Sequence, residues 1–222
     1  NLAVDITAPA VTINTVAGDD VINLAEHGQA QIISGTATGA AAGDKVTVTI
    51  GGQTYTTVLD AAGNWSVGVP ASVISGLSDG TVTVTASVTD AAGNTGSGTH
   101  NVTVDTGLPS VSFNAISDDN VLNAVEKGQD LSVSGTSANL AEGTVVTVTL
   151  NGKNYAATTA ADGTWSLTVP AADLAGLGEA NYTLSATATN GVGNSVSNTA
   201  NLLVDTALPT VTINTVAGDN VI

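Results

Sequence analysis

One phrase returns at a fixed interval and constrains everything else the chain can do. Val4-Asp5-Ile6-Thr7-Ala8-Pro9 comes back as Val104-Asp105-Thr106-Gly107-Leu108-Pro109 and as Val204-Asp205-Thr206-Ala207-Leu208-Pro209, each copy 100 residues after the last. In every copy an apolar strand end runs into an aspartate, a short hinge and a proline whose ring fixes φ. A new strand pattern follows at once, at Val11-Thr12-Ile13, Val111-Ser112-Phe113 and Val211-Thr212-Ile213. A fixed period of this kind marks an array of like modules. The 222 residues then hold two complete modules, 6–105 and 106–205. The end of a preceding repeat lies at 1–5 and the start of a third at 206–222. A module of about 100 residues can bury a core of its own.

Within a module the hydrophobic pattern has a period of two and no helical period competes with it. Val46, Val48 and Ile50 alternate with Thr47 and Thr49, as in a strand with one buried face. Gly51-Gly52 is a two-residue hairpin signal leading into 53–59. Asp60-Ala61-Ala62-Gly63-Asn64 turns the chain into Trp65–Val69, which Pro70 ends. A helical turn is predicted over Ala71–Leu77, then the longest strand over Thr81–Thr89, then Ser97–Asp105 after the Asp90-Ala91-Ala92-Gly93-Asn94 turn. That reading gives seven short strands per module, joined by Gly-, Asp- and Asn-rich turns. The pattern fits an all-β, immunoglobulin-like antiparallel sandwich. With an odd strand count the chain enters one pole and leaves by the other, so tandem modules are expected to stack head to tail as a rod.

Charge bounds the function. Nineteen acidic residues face three lysines and no arginine, for a formal net charge of −16. Nucleic acid is excluded as a partner, because phosphate contacts need cationic side chains, and an anionic membrane surface is excluded for the same reason. No run approaches the roughly 18 apolar residues of a membrane span. Cysteine is absent, so disulfides and thiolate chemistry are absent with it. An acid excess of this size repels itself in the compact state, and a bound cation would relieve it.

The acids concentrate in one loop: Asp19-Asp20-Val21-Ile22-Asn23-Leu24-Ala25-Glu26, matched by Asp119-Asn120-Val121-Leu122-Asn123-Ala124-Val125-Glu126 with Asp118 just before, and restarting at Asp219-Asn220. Calcium takes six to eight oxygen ligands from carboxylates, amides and carbonyls. Asp19, Asp20 and Glu26, with Asp105 brought to the same pole, supply the carboxylates for such a site; the spacing is not that of an EF-hand. Asn23-x-x-Glu26 also reads as a capping box on one helical turn, and for Asn23 that reading is preferred. Asp90 and Asn94, near Asp5, read equally as a second cation cluster or as an Asx turn. Asn190 replaces Asp90 in the second module, while Asp60 and Asp162 read as turn residues.

Catalysis finds no support. His27 and His100 stand opposite Lys127 and Ala200, so neither histidine belongs to a repeated feature, and no Ser-His-Asp grouping can be assembled. Three Asn-x-Ser/Thr sequons, at Asn64, Asn101 and Asn181, read as accidents of a chain rich in Ser and Thr. The tryptophans and tyrosines recur at the repeat period and read as packing residues.

The Val-Asp-Thr-x-x-Pro junction, the Asp-Asp/Asn-Val-Ile/Leu-Asn-x-x-Glu loop, the Ser-Gly-Thr strand and the Asp-x-x-Gly-Asn turn together carry a resemblance. The chain resembles the tandem bacterial Ig-like (BIg) domains of giant non-fimbrial adhesins, those of the SiiE type from Salmonella above all. The resemblance implies an extracellular protein at the bacterial surface, exported by type I secretion machinery, whose repeats bind Ca2+ between modules and stiffen the rod. It implies no enzyme activity and a monomeric extender that projects a binding tip toward a host cell surface or glycan. By position, the calcium ligands it implies are Asp19, Asp20 and Asp105 at the first junction and Asp118, Asp119 and Asp205 at the second. Asp5 would serve the junction before residue 6, with Glu26 and Glu126 as additions. The competing reading makes the Ig-like domains themselves the receptor-binding element, for a host glycan or protein; with aromatics at 3% of the chain, the stacking residues for that are few.

Overall fold

The computed structural model describes residues 4–213; the restart at Asp219-Asn220 lies outside the described residues, as do the other positions of 1–3 and 214–222. Strands run β1 (Ala10–Ile13), β2 (Val21–Asn23), β3 (Gln31–Thr38), β4 (Lys45–Ile50), β5 (Gln53–Val58), β6 (Asn64–Val69), β7 (Gly80–Thr89) and β8 (Thr95–Asp105). The second set repeats them as β9 (Ser110–Phe113), β10 (Val121–Leu122), β11 (Leu131–Ala138), β12 (Val145–Leu150), β13 (Lys153–Thr158), β14 (Thr164–Val169), β15 (Ala180–Thr189) and β16 (Ser195–Val204). Short helices are α1 (Leu24–His27), α2 (Ala71–Ile74) and α3 (Ala171–Leu174), with a 3₁₀ turn at Glu126–Gly128. Two compact units result: 1–108 together with the turn 190–194, and 109–189 with 195–222.

Each set of strands forms a three-stranded and a five-stranded sheet, ordered β1-β3-β6 and β2-β8-β7-β4-β5 in the first and β9-β11-β14 and β10-β16-β15-β12-β13 in the second. The residues expected to alternate do so: Val46, Val48 and Ile50 are fully buried. They join Ile33, Trp65 and Val69 from the three-stranded sheet in one core, the packing of a β-sandwich. A matching core of Val133, Trp165, Val169, Val146, Val148 and Leu184 fills the second. Gly51 and Gly52 both hold positive φ, 55° and 75°, as the hairpin requires.

Each module has eight strands where the sequence pattern suggested seven. The addition is β2, hidden in the acidic loop, which pairs parallel with β8 while β1 pairs antiparallel with β3 in the other sheet. It was invisible to periodicity because it is three residues long. Trp65 therefore lies on the sixth strand, and β8, at 11 residues, exceeds the 10 of β7. The Ser-Gly-Thr motif of β3 and β11 has a packing cause: a Cβ on Gly35 would lie 2.0 Å from the Thr12 carbonyl oxygen and 2.5 Å from the Trp65 ring. Only glycine lets the indole and the neighbouring strand approach together.

Candidate cation-binding loops and module ends

The acidic loop is a tight turn before it is anything else. Ala17, Gly18 and Asp20 all sit at positive φ. The Asp19 carboxylate accepts the Val21 amide at 3.0 Å. Asp20 Oδ1 accepts the Val16 amide at 2.8 Å and faces His100 Nε2 at 2.7 Å, and the Asp20 carbonyl accepts the Thr103 amide at 2.9 Å. Burial alone would push the Asp20 carboxyl up, but the Val16 amide and His100 together hold it below the usual carboxylate range. Glu26 closes the capping box expected for Asn23: its carboxylate accepts the Asn23 amide at 3.1 Å, and Asn23 Oδ1 accepts the amides of Ala25 and Glu26.

The second module repeats the turn with other residues. Ser117, Asp118 and Asn120 hold the positive φ values. Asn120 Oδ1 accepts the Ile116 amide at 3.0 Å, Asp119 accepts the Val121 amide at 2.8 Å, and Glu126 accepts the Asn123 amide at 3.0 Å. Asp118 aligns with Gly18, and with Glu126 and Asp130 it borders a polar pocket of about 310 Å³. One oxygen of Asp130 already accepts the Ala171 amide at 2.8 Å.

The junction aspartates behave alike in all three copies. Asp5, Asp105 and Asp205 each accept, through Oδ1, the amide two residues on, from Thr7, Gly107 and Ala207 at 3.0, 2.9 and 3.1 Å. These are Asx turns that start the hinge. Asn94 donates to the Asp5 carbonyl at 3.2 Å. Asn194, in the turn that belongs to the first unit, donates to the carbonyls of Asp105 and Gly107 at 2.9 and 3.1 Å and accepts the Leu24 amide at 2.8 Å. Asp90 accepts the amides of Ala92 and Asn94, and its hydrogen bond from the Asn94 side chain is the main reason its carboxyl lies below the ordinary range. Asn190 makes the equivalent two backbone bonds without a charge.

The register of β2 on β8 sets Asn23 opposite Asp105, so Asp105 and the head of α1 share one end of the five-stranded sheet. Asp20 lies farther along, committed to His100 and Val16. Oxygen donors of this kind suit a hard cation such as calcium, but among the described residues no three acidic or histidine side chains converge on one point. Both of the Asp20 side-chain contacts, to Val16 and to His100, are made through Oδ1.

Two repeated features escaped the sequence reading. His27 Nε2 meets the Leu77 carbonyl at 2.9 Å, and Lys127 Nζ donates to the Leu177 carbonyl at 2.5 Å. The histidine therefore does belong to a repeated feature; its partner position simply carries a different donor. Asp79 accepts both the amide and the hydroxyl of Thr106, and Glu179 does the same for Thr206. The available signal was an acid followed by a threonine 27 residues later, in both modules.

Comparison with known proteins places this architecture. The family model described as bacterial Ig-like domain matches residues 7–106 and again 112–206. Curated protein sequences give no match. Among solved structures, the chain is 40% identical to a Ca2+-stabilized adhesin with which an Antarctic bacterium reaches out and binds ice, with a TM-score of 0.61, over 90% of this chain and 50% of that one. It is 36% identical to a 1.5-MDa bacterial ice-binding adhesin described for host cell surface retention, with a TM-score of 0.59, over 90% of this chain and 65% of that one. The chain thus spans about half to two thirds of the length of these relatives. No helix among the described residues is long and apolar enough to cross a membrane. With both halves matched in register with the observed sandwiches, the chain belongs to the bacterial Ig-like domain family.

Proposed function

We propose that this chain is an extender segment of a large bacterial surface adhesin, built from modules 6–105 and 106–205 between a preceding repeat ending at residue 5 and a following one starting at 206. The observation that carries the reading is the 40% identity, over nine tenths of the chain, to an adhesin described as Ca2+-stabilized. The segment acts as a spacer and not as an enzyme. It lies outside the cell after type I secretion and holds a separate tip away from the surface, toward a host cell or glycan. Kinship with SiiE-type adhesins in particular is part of this proposal and rests on the Val-Asp-Thr junctions and the acidic loops.

Calcium is the cofactor of this reading. Its proposed ligands are the carboxylates of Asp5, Asp19, Asp20, Glu26, Asp90 and Asp105 around the first module, and of Asp118, Asp119, Glu126 and Asp205 around the second. When bound, the ion would neutralise part of the −16 charge and stiffen the chain as a monomeric rod. Extracellular sites of this class bind at around 10⁻⁴–10⁻³ M. A few millimolar calcium should therefore raise the melting temperature by linkage, with magnesium a poor substitute. Small-angle scattering should show a longer maximum dimension in calcium than in chelator. Identical melting curves and identical scattering in both media would remove calcium from the proposal. Specific retention of the isolated chain on a glycan array would favour direct receptor binding by the Ig-like domains over the spacer reading.

A further inference from the structure

Between the last strand of a module and the proline of the next, the chain has three residues after β8 (106–108) and four after β16 (205–208) in which to lose its direction. At the first such place Asp105 closes an Asx turn on Gly107. The residue between them, Thr106, is held from the other side. Its amide donates to Asp79 Oδ1 at 3.1 Å and its hydroxyl donates to the same oxygen at 2.8 Å. The second module repeats the arrangement with a longer side chain: the Thr206 amide and hydroxyl donate to Glu179 Oε1 at 3.1 and 2.6 Å. Two different acids, each on a loop before the penultimate strand, thus reach the same two donors on the same hinge residue. The same pair of bonds is made by Asp in one module and by Glu in the other.

The acid is itself anchored. Residues 77–79 follow α2, and the Leu77 carbonyl receives the His27 ring from the end of α1, whose capping box is closed by Glu26. In the second module Lys127 fixes the Leu177 carbonyl in the same way. The loop that carries the acid is therefore tied to the acidic loop on one side and to the hinge on the other.

From this geometry we propose that Asp79 and Glu179 are the hinge-positioning residues of the two modules: a carboxylate–threonine clamp that sets the direction of the outgoing chain without a cation. The clamp deepens the extender reading, on which its purpose rests, but its operation is separate from calcium. A stiff spacer needs its hinge aimed before an ion arrives, and a hinge already aimed loses less entropy when the ion binds.

The test is amide hydrogen exchange by NMR on the whole chain, in chelator and in calcium. In chelator the Thr106 and Thr206 amides should both be protected. Asp79→Ala should lower protection at Thr106 about tenfold or more, as expected for the loss of a charge-assisted bond. Thr206 and the β7–β8 ladder should stay unchanged, which separates a hinge effect from unfolding. Glu179→Ala should do the reverse, and Asp79→Glu, which copies the second module, should keep Thr106 protected. Free exchange of Thr106 in the chelated parent, or protection that survives Asp79→Ala, would overturn the clamp. Protection seen only with calcium would also overturn it while leaving the calcium reading intact. Equal melting curves in calcium and chelator would remove calcium and leave the clamp standing.

Discussion

His27 in the first module and Lys127 in the second reach the carbonyl of a leucine 50 residues on, and both hold the same loop with a different donor. The two modules differ in this way at many matched positions. The first has Asp20 facing His100; the second has Asn120 facing no base, because Ala200 stands where His100 would be. The second has Lys153, Tyr155 and Asp173 in one hydrogen-bonded group; the first has Gln53, Tyr55 and Val73 at those places. Most backbone hydrogen bonds of the turns recur in both modules. At the turns of Asp20/Asn120 and Asp90/Asn190 an acceptor is kept at the same point and charge is interchangeable with neutral polarity. Positions where the substitution is not neutral mark where the modules differ in stability.

The largest such difference should come from the tryptophans. Trp165 packs edge-on against Phe113, with ring centroids 5.4 Å apart, and its indole N–H donates to the Thr136 carbonyl at 3.2 Å. Trp65 is as deeply buried but has Ile13 in place of the phenylalanine, and its indole nitrogen has no hydrogen-bond partner. Truncating either to alanine should cost its module about 3–5 kcal/mol. Trp165→Ala should stand toward the upper end, because it also removes a hydrogen bond and an aromatic pair. Calorimetry on the whole chain measures both, and a larger loss for Trp65→Ala would break the comparison.

Next in size is the hydroxyl of Tyr155. It donates to Asp173 at 2.9 Å, and Asp173 also receives Lys153. Burial, then the Asp173 hydrogen bond and charge, push the phenol from 10.0 up to about 12. A raised pKa stabilises the fold while the group is protonated, so this contribution is complete below pH 10 and disappears as pH rises toward 12. Tyr155→Phe should cost about 1 kcal/mol at neutral pH and should flatten the alkaline loss of the second module. Tyr55→Phe should do less, since Val73 offers no acceptor.

The acid side of the pH scale touches both modules, through Asp20 in the first and Asp173 in the second, and the Asp20 part can be removed without disturbing the turn. Asp20 has a depressed carboxyl, so its contribution is present above its ordinary value of 3.8 and fades as pH falls through the folded pKa. Partial exposure of the pair keeps the effect below about 1 kcal/mol. Asp20→Asn should preserve the turn, as Asn120 does, while removing this acid sensitivity from the first module. A melting curve between pH 5 and 3 that is the same for parent and variant would show that the His100 contact carries no stability.

The contacts behind these predictions were unequally legible from sequence. The alternation of β4, the Gly51-Gly52 hairpin and the Asn23–Glu26 capping box are local, and local patterns declare themselves, as does a phrase repeated at a fixed interval. The bond between His100 and Asp20 joins residues 80 apart, and that between Asp79 and Thr106 residues 27 apart. The first exists because β2, too short to show a period, pairs with β8. The second exists because β7 pairs with β8 and sets Gly80 opposite Val104, and only its recurrence at the same 27-residue spacing in both modules marks it. The sequence also invited grouping Asp19, Asp20 and Asp105 by charge alone. The turn's own backbone donors claim one oxygen of each of these carboxylates first, which no count of acids could show.

The smallest expected effect tests the interchange of charge and polarity most directly. Asp90 closes its turn by accepting the amides of Ala92 and Asn94 at 2.9 and 2.8 Å. Asn190 closes the matching turn by accepting those of Val192 and Asn194 at 3.2 and 2.9 Å. The second module thus already contains the substitution, and the turn it leaves is the same. Asp90→Asn should then change stability by no more than about 0.5 kcal/mol in the absence of calcium, the ordinary range for a surface exchange. The same measurement in millimolar calcium separates the two readings of this residue. If Asp90 is only a turn residue, parent and variant gain equally from the ion. If it is also a ligand, the variant gains less, because an amide oxygen replaces a charged one in the coordination shell. Titrating both proteins with calcium while following the melting temperature reads the difference directly, with the Asn190 turn unchanged in each as the internal reference.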